Sequence, residues 1–234
     1  MLLSHSPTGG DTISQLLSAW VEAVLRYDEF MGEDVGVGRD CCWWYNERTN
    51  VSALAGAAWS KGWVALEEYS TRKRLGAPKQ GVAGEPAKTD SHGRVDLYVS
   101  TREEDYAFEA KQVWLRLDLS PDQAGYGTKA VDDGMRAARI DAQKLFGEAG
   151  THIAATFIVP FLPAGDVPKE VSADFPESLC NWLSKLSDYI QNNSGSNGPM
   201  QLAYVFPRLD ERCYVNAAGY YYPGVVLVAE TLQE

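Results

Sequence analysis

The chain has 234 residues, of which 45% are hydrophobic and 23% charged, and its formal net charge is −11 at pH 7. This composition is that of an ordinary globular protein that is long enough to bury a large core, and no apolar run is long enough to span a membrane. Residues 1–10 lack the basic and apolar stretches of a secretory signal, and the negative charge argues against a protein that coats nucleic acid with a basic surface.

Hydrophobic periodicity predicts two helices in the first quarter of the chain. An amphipathic helix covers residues 11–31. A second helix begins near Asn46 and ends at Lys61-Gly62. Residues 63–70 then form a strand, or else the helix continues through Glu67 and Glu68, and the sequence leaves both interpretations open.

Further strands and helices alternate along the rest of the chain. Residues 152–161 form an apolar strand of the kind that lies in the middle of a sheet. The other predicted elements are strands at 94–99, 106–111, 201–207 and 220–231 and helices at 128–147 and 176–191. We therefore expect a single α/β domain over residues 1–234, with a core at 46–161 in the order helix, strand, strand, strand, helix, strand (αβββαβ). Residues 1–45 add an N-terminal helix, and residues 162–234 add a C-terminal helix and strands.

The strands at 94–99 and 106–111 alternate polar and apolar residues with the period of a half-buried hairpin. If residues 101–104 form the turn, Ser100 lies opposite Asp105 and Asp96 lies opposite Glu109. Two facing carboxylates, about 5 Å apart at Cβ, destabilise a sheet unless something neutralises them. A divalent cation would do so, and Lys111 lies one step further along the same face. The pattern therefore predicts a metal site, whereas Gln112 points to the opposite face.

An Asp on one strand and Glu-x-Lys on the next resemble the motif of the PD-(D/E)XK nuclease superfamily, the fold of many restriction enzymes and resolvases. The matching residues are Asp96 and Glu109-Ala110-Lys111, and Glu109 is the only acidic residue with a lysine two positions later. Val95 stands where the motif has its proline, which is often absent. The predicted element order over residues 46–161 also matches the superfamily's core. The resemblance implies a restriction endonuclease-like fold, with a mixed β-sheet flanked by helices.

The resemblance further implies a nuclease that uses Mg²⁺ or Mn²⁺ to hydrolyse phosphodiester bonds of nucleic acid, with DNA as the first candidate. Asp96 and Glu109 would hold the cation together with the carbonyl oxygen of Ala110. Lys111 would position the attacking water or stabilise the charge on the phosphorane. In many members the first core helix supplies another acid, for which Glu47 is the candidate. Because the helix dipole also favours a carboxylate at that position, Glu47 has a simple capping role as its alternative, and the fallback acids are Glu67 and Glu68.

Basic residues are concentrated just before the Asp96 strand. Residues 72–94 hold six basic residues against Glu85 and Asp90, a local balance of +4 in a segment rich in glycine and proline. This composition predicts a mobile basic loop that contacts nucleic-acid phosphates, with an ordinary solvated loop as the alternative. Its basic residues are Arg72, Lys73, Arg74, Lys79, Lys88 and Arg94. On the helix at 128–147, a polar face formed by Arg136, Arg139 and Gln143 could also reach a phosphate or simply be solvated.

Four cysteines show no Cys-x-x-Cys spacing. They predict buried free thiols in a reducing cytoplasm. The aromatic runs Trp43-Trp44-Tyr45 and Tyr220-Tyr221-Tyr222 fit core packing, the surface of a homodimer, or stacking on bases.

A second hypothesis of a different class is a catalytically silent protein of the same fold. It would act as a binding or regulatory subunit, and its acidic surface would serve a protein partner. The intact Asp, Glu and Lys of the motif argue against this hypothesis.

Overall fold

The computed structural model describes residues 1–31, 39–74, 90–117, 128–145, 149–167, 174–193, 198–209, 211 and 213–232. In these residues, helices flank one mixed sheet of eight strands, so the protein belongs to the α/β class as predicted. No helix in this part of the chain combines the length and apolar character that crossing a membrane requires.

The described α-helices agree with the predicted ones to within two residues at each end, except that α3 ends at Ala142, whereas the prediction extended it to residue 147. Their bounds are α1 Thr12–Phe30, α2 Glu47–Ser60, α3 Thr128–Ala142 and α4 Asp174–Asn193. The side chain of Asn46 caps α2 by accepting a hydrogen bond from Thr49 N at 3.1 Å, a common way to satisfy a free N–H at a helix start. Gly62 follows the helix with φ 77°, a left-handed conformation that suits glycine at a helix end. The helix therefore stops here, and the strand interpretation of residues 63–70 is confirmed.

The sheet draws its strands from the whole length of the chain. Their bounds are β1 Leu3–His5, β2 Val64–Arg74, β3 Asp90–Ser100, β4 Asp105–Arg116, β5 Thr151–Pro163, β6 Met200–Phe206, β7 Tyr220–Tyr221 and β8 Val225–Thr231. Their spatial order is β1-β6-β8-β5-β4-β3-β2, and β7 pairs with β5. Only β4 and β5 run parallel among these pairs of described strands, because α3 carries the chain back between them.

Helices α2 and α3 lie on opposite faces of β4. Gln112 Oε1 accepts a hydrogen bond from Asn50 Nδ2 of α2 at 2.9 Å, whereas Lys111 forms an ion pair with Asp141 of α3. Successive residues of a strand point to opposite faces, so the two helices enclose the sheet between them. The prediction that Gln112 faces away from Lys111 is confirmed.

The structure departs from the predicted strands in two places besides the ends of the strands. The short strand β1 was not predicted, and the strand predicted at 220–231 is divided into β7 and β8. Gly224 lies in the break, where a Cβ atom would approach Val205 O to 2.3 Å. The close approach of the neighbouring strand therefore requires glycine at this point.

The predicted basic loop is wrong for four of its six basic residues. Arg72, Lys73 and Arg74 end β2 and Arg94 lies on β3, because these strands form a long antiparallel ladder from Val64↔Ser100 to Arg74↔Asp90. The remaining two, Lys79 and Lys88, lie outside the described residues.

The cysteines are free thiols, but only half of them are buried. Cys41 and Cys42 lie in the core, as predicted, whereas Cys180 is exposed and Cys213 is half-buried. The prediction of four buried thiols is therefore wrong for Cys180 and Cys213, since an exposed face of α4 presents Cys180 to solvent.

The aromatic runs mainly serve packing. Trp43 is fully buried, and its Nε1 donates a hydrogen bond to Tyr222 O at 3.1 Å. Tyr221 is also in the core, while Tyr45 and Tyr220 remain exposed. Core packing thus accounts for Trp43 and Tyr221, and one ring of each run remains at the surface.

Candidate metal centre

The hairpin of β3 and β4 has the predicted register between Leu97 and Ser100. Ser100 lies opposite Asp105, and the ladder continues to Leu97↔Phe108. The ladder stops before Asp96 and Glu109. At that point Asp96 Oδ2 accepts a hydrogen bond from Ala110 N at 2.8 Å. The Asp96 carboxylate is thus anchored to β4 immediately beside Glu109.

The sheet is irregular on the other side of Asp96 as well. The ladder between β2 and β3 passes from Glu67↔Leu97 to Tyr69↔Val95 without a pair at Glu68. Glu68 has φ 52°, which is uncommon for a residue other than glycine. Regular pairing is therefore interrupted at Asp96 towards both neighbouring strands.

Glu109 is an acid held in the interior of the protein, with only 3% of its side chain exposed. Burial raises the pKa of Glu109 to about 7, its contact with Lys73 lowers it, and the charge of Asp96 adds to the rise. Lys73 Nζ lies 2.6 Å from Glu109 Oε1. The neutralising charge that the sequence argument assigned to a divalent cation is therefore supplied by a lysine in this structure.

Lys111 is also engaged with a carboxylate. Its Nζ lies 2.9 Å from Asp141 Oδ2 at the end of α3, and Asp141 Oδ1 is 2.7 Å from Lys144 Nζ. Burial works to lower the pKa of Lys111, but the hydrogen bond and charge of Asp141 raise it overall, and Glu47 and Asp96 add to the rise. Lys111 is therefore a stable cation surrounded by acids of the site.

Of the three candidates for a further acid, Glu47 is the one that lies in this cluster. It is the first residue of α2, and its Oε2 accepts a hydrogen bond from Gln112 N at 3.1 Å. Burial raises the pKa of Glu47, Lys111 opposes the rise, and Asp96 adds to it. A capping role alone would not bring Glu47 next to residues of β3 and β4.

The fallback acids have partners away from the cluster. Glu67 Oε2 accepts a hydrogen bond from Ser52 Oγ at 2.7 Å. Glu68 forms ion pairs with Arg48 at 2.9 Å and with Arg94 at 3.1 Å. Neither contact places these carboxylates beside Glu109.

The donor set has the chemistry of a magnesium site. Glu47, Asp96, Glu109 and the carbonyl of Ala110 offer only oxygen ligands, which Mg²⁺ prefers. In their present positions, however, no three acidic, histidine or cysteine side chains among the described residues lie close enough together to hold a metal ion. The residues fit the cation in chemistry, and the carboxylates would have to converge on it.

The predicted phosphate-binding residues differ in how available they are. Arg139 is only 14% exposed and forms an ion pair with Glu230 on β8, with Nε–Oε1 at 3.0 Å and Nη2–Oε2 at 2.8 Å. Its guanidinium joins α3 to the sheet, so its assignment to phosphate binding is not supported. Arg94 and Arg136 are largely exposed, and they form ion pairs with Glu68 and Asp133, respectively. Arg72 and Arg74 lie on β2, and their side chains are outside what the structure describes.

Lys73, Asp141 and Lys144 complete the cluster, and sequence reasoning gave none of them a place in it. Lys73 was assigned to a loop, whereas Asp141 and Lys144 are separated from the motif by the length of α3. The available signal was the spacing of Asp141 and Lys144, which lie three residues apart and so on one face of the helix predicted at 128–147.

Comparison of the chain with protein-family models, with curated proteins and with solved structures found no match. The likeness to the nuclease superfamily consequently depends on the motif residues and on the order of the elements that carry them.

Proposed function

We propose that this protein is a metal-dependent nuclease with a restriction endonuclease-like core, acting on phosphodiester bonds of DNA. The observation that carries the proposal is the position of the motif residues on adjacent strands, where Asp96 is anchored to Ala110 N beside the buried Glu109, and Lys111 interacts with the charges of Asp96 and Glu47. These residues come from α2, β3 and β4, within the order α2-β2-β3-β4-α3-β5. The two lines of support are independent, since one is chemical and the other topological.

The roles of the residues follow from their environments. Asp96 and Glu109 would bind Mg²⁺ or Mn²⁺, with the Ala110 carbonyl and Glu47 as further oxygen ligands. When bound, such a cation lowers the pKa of a coordinated water and withdraws charge from phosphate oxygens. Because the pKa of Lys111 is raised, this lysine stays protonated at neutral pH and acts as a positive charge beside the phosphate rather than as a base. Arg94 and Arg136, which are largely exposed, would contact DNA outside the site.

One observation favours a second candidate function, a catalytically silent binding or regulatory subunit. Both lysines of the cluster already have internal carboxylate partners, Lys73 with Glu109 and Lys111 with Asp141. A site whose charges neutralise one another needs neither cation nor substrate to be stable. The experiment below separates the two candidates.

The test is cleavage of DNA by purified protein with Mg²⁺ or Mn²⁺, compared with EDTA. We expect metal-dependent nicking or degradation that falls about 100-fold or more in Lys111→Met, with folding nearly unchanged and metal binding retained, because Lys111 is not a ligand. Asp96→Asn should lose both cleavage and metal binding. Asparagine keeps an oxygen that can accept the hydrogen bond from Ala110 N, so this variant removes the charge and preserves the anchor.

Lys129→Met serves as the matched control, because it removes one positive charge from an exposed position on α3. Cleavage that survives in both Lys111→Met and Asp96→Asn would assign the activity to another site or to a contaminant. An absence of both cleavage and metal binding in the unmodified protein would favour the silent subunit.

A further inference from the structure

Lys73 and a bound metal ion would both contact the carboxylate of Glu109. The lysine is on β2, two strands away from β4, and its ammonium lies 2.6 Å from Glu109 Oε1. The Glu109 side chain is 3% exposed and that of Lys73 21%, so the ion pair is largely screened from water. A cation that binds Glu109 would bring two like charges to one buried carboxylate, which is unfavourable.

The chain provides a path for this lysine across the intervening strand. A Cβ atom on Gly93 of β3 would lie 2.8 Å from Lys73 Cγ, 2.7 Å from Cδ and 3.2 Å from Cε. The aliphatic part of Lys73 thus passes over Gly93, in space that any other residue would fill. Glycine at this position is what allows Lys73 to reach Glu109.

We propose that Lys73 is an internal counter-ion that competes with the divalent cation for Glu109 and thereby sets the metal affinity of the site. This inference rests on the proposed function, since it assumes that Glu109 is a metal ligand. Without metal, Lys73 neutralises the buried carboxylate and keeps the sheet stable. Metal binding must first break that ion pair, so the affinity of the unmodified protein is lower than its oxygen ligands alone would give.

The competition predicts that removing Lys73 tightens metal binding. In Lys73→Met the aliphatic stem remains while the charge is lost, so a metal ion that binds Glu109 displaces no ammonium group. Calorimetric titration of the metal-free protein with Mg²⁺ should show an affinity about 10-fold or more above that of the unmodified protein. Titration at about pH 8.5 limits competition from protons. Thermal unfolding should show a lower midpoint for Lys73→Met in EDTA and a larger rise on adding Mg²⁺.

Gly93→Ala gives a second variant that keeps every charge of the protein. Its methyl group closes the path of the Lys73 side chain, so Mg²⁺ affinity should rise in the same direction, by several-fold. Lys129→Met controls for the change in net charge and should leave the affinity within about twofold of the unmodified protein.

The outcomes separate this inference from the proposed function. Metal binding by the unmodified protein, with equal or weaker binding by Lys73→Met and Gly93→Ala, overturns the competition and leaves the metal site intact. Binding by the variants alone supports the competition. If neither the unmodified protein nor either variant binds Mg²⁺, the proposed metal site is wrong and the inference falls with it.

Discussion

Glu109 combines burial, a nearby carboxylate and a lysine partner in a single residue. Its pKa is raised from the ordinary value of 4.5 to about 7. An acid whose pKa is raised on folding binds more protons in the folded than in the unfolded state between these two values. Its contribution to stability therefore decreases as the pH rises from about 4.5 to about 7 and stays constant above.

This decrease in stability with rising pH gives a prediction for Glu109→Gln in metal-free protein. The amide has nearly the same shape and no charge to desolvate, so the variant should lack this loss of stability with rising pH. Relative to the variant, the unmodified protein should lose up to about 3 kcal/mol of unfolding free energy between pH 4.5 and pH 8. Urea unfolding in EDTA at several pH values measures the difference.

Glu103→Gln, in the exposed turn of the hairpin, is the matched control for the loss of one carboxylate. Equal pH dependence of Glu109→Gln and the unmodified protein would show that Glu109 is not the perturbed acid. That result would also weaken the case for a metal ligand at this position.

At the scale of residues, the sequence predicts the centre of the site but not its surroundings. The two-residue period of strands and a short turn are sufficient to place Asp96, Glu109 and Lys111 on adjacent strands. Lys73 and Asp141 reach the same point through a strand two positions away and through the packing of α3. Such contacts depend on how elements pack, for which a single sequence carries no periodic signal.

A largely buried ion pair between Arg139 of α3 and Glu230 of β8 joins this helix to the sheet. Arg139 contacts both carboxylate oxygens of Glu230, whose side chain is 2% exposed. Arg139→Met removes the guanidinium that satisfies this buried carboxylate, so we expect a loss of about 3 kcal/mol in unfolding free energy. Chemical unfolding of the variant in EDTA measures the change.

The double variant Arg139→Met with Glu230→Gln tests whether the loss comes from the pair itself. Removing both charges should restore much of the stability, because no charged group then remains buried at that position. Arg136→Met, three residues earlier on an exposed part of the same helix, should change stability by less than about 0.5 kcal/mol. A small effect of Arg139→Met would show that this ion pair does not stabilise the packing of α3 on the sheet.

Helices and strands with strong hydrophobic periodicity could be predicted from the sequence. The errors occur where the local composition favours a different structure from the one observed. The run Arg72-Lys73-Arg74 has no apolar alternation, and glycine and proline follow it, so the sequence favours a loop. In the structure the ladder with β3 extends β2 through these residues. Pairing with a neighbour outweighs local preference in strands, since strand propensity depends largely on context.

The whole molecule carries a net charge of −11, and this total includes the carboxylates of Glu47, Asp96 and Glu109, next to which DNA would bind in the proposed function. Without metal, repulsion between these charges and the phosphates should keep association weak. A bound cation reverses the local charge, so DNA affinity and metal binding should be coupled.

We therefore expect Lys111→Met, which binds metal but does not cleave, to bind DNA about 10-fold or more tightly in Mg²⁺ than in EDTA. Fluorescence anisotropy at constant ionic strength measures this gain, because added salt alone would weaken phosphate contacts. The double variant Asp96→Asn with Lys111→Met should show no such gain, since it keeps the surface charges of the protein and loses a ligand. Equal gains in both proteins would show that Mg²⁺ acts by screening the negative charge of DNA and protein, and not through a site at Asp96.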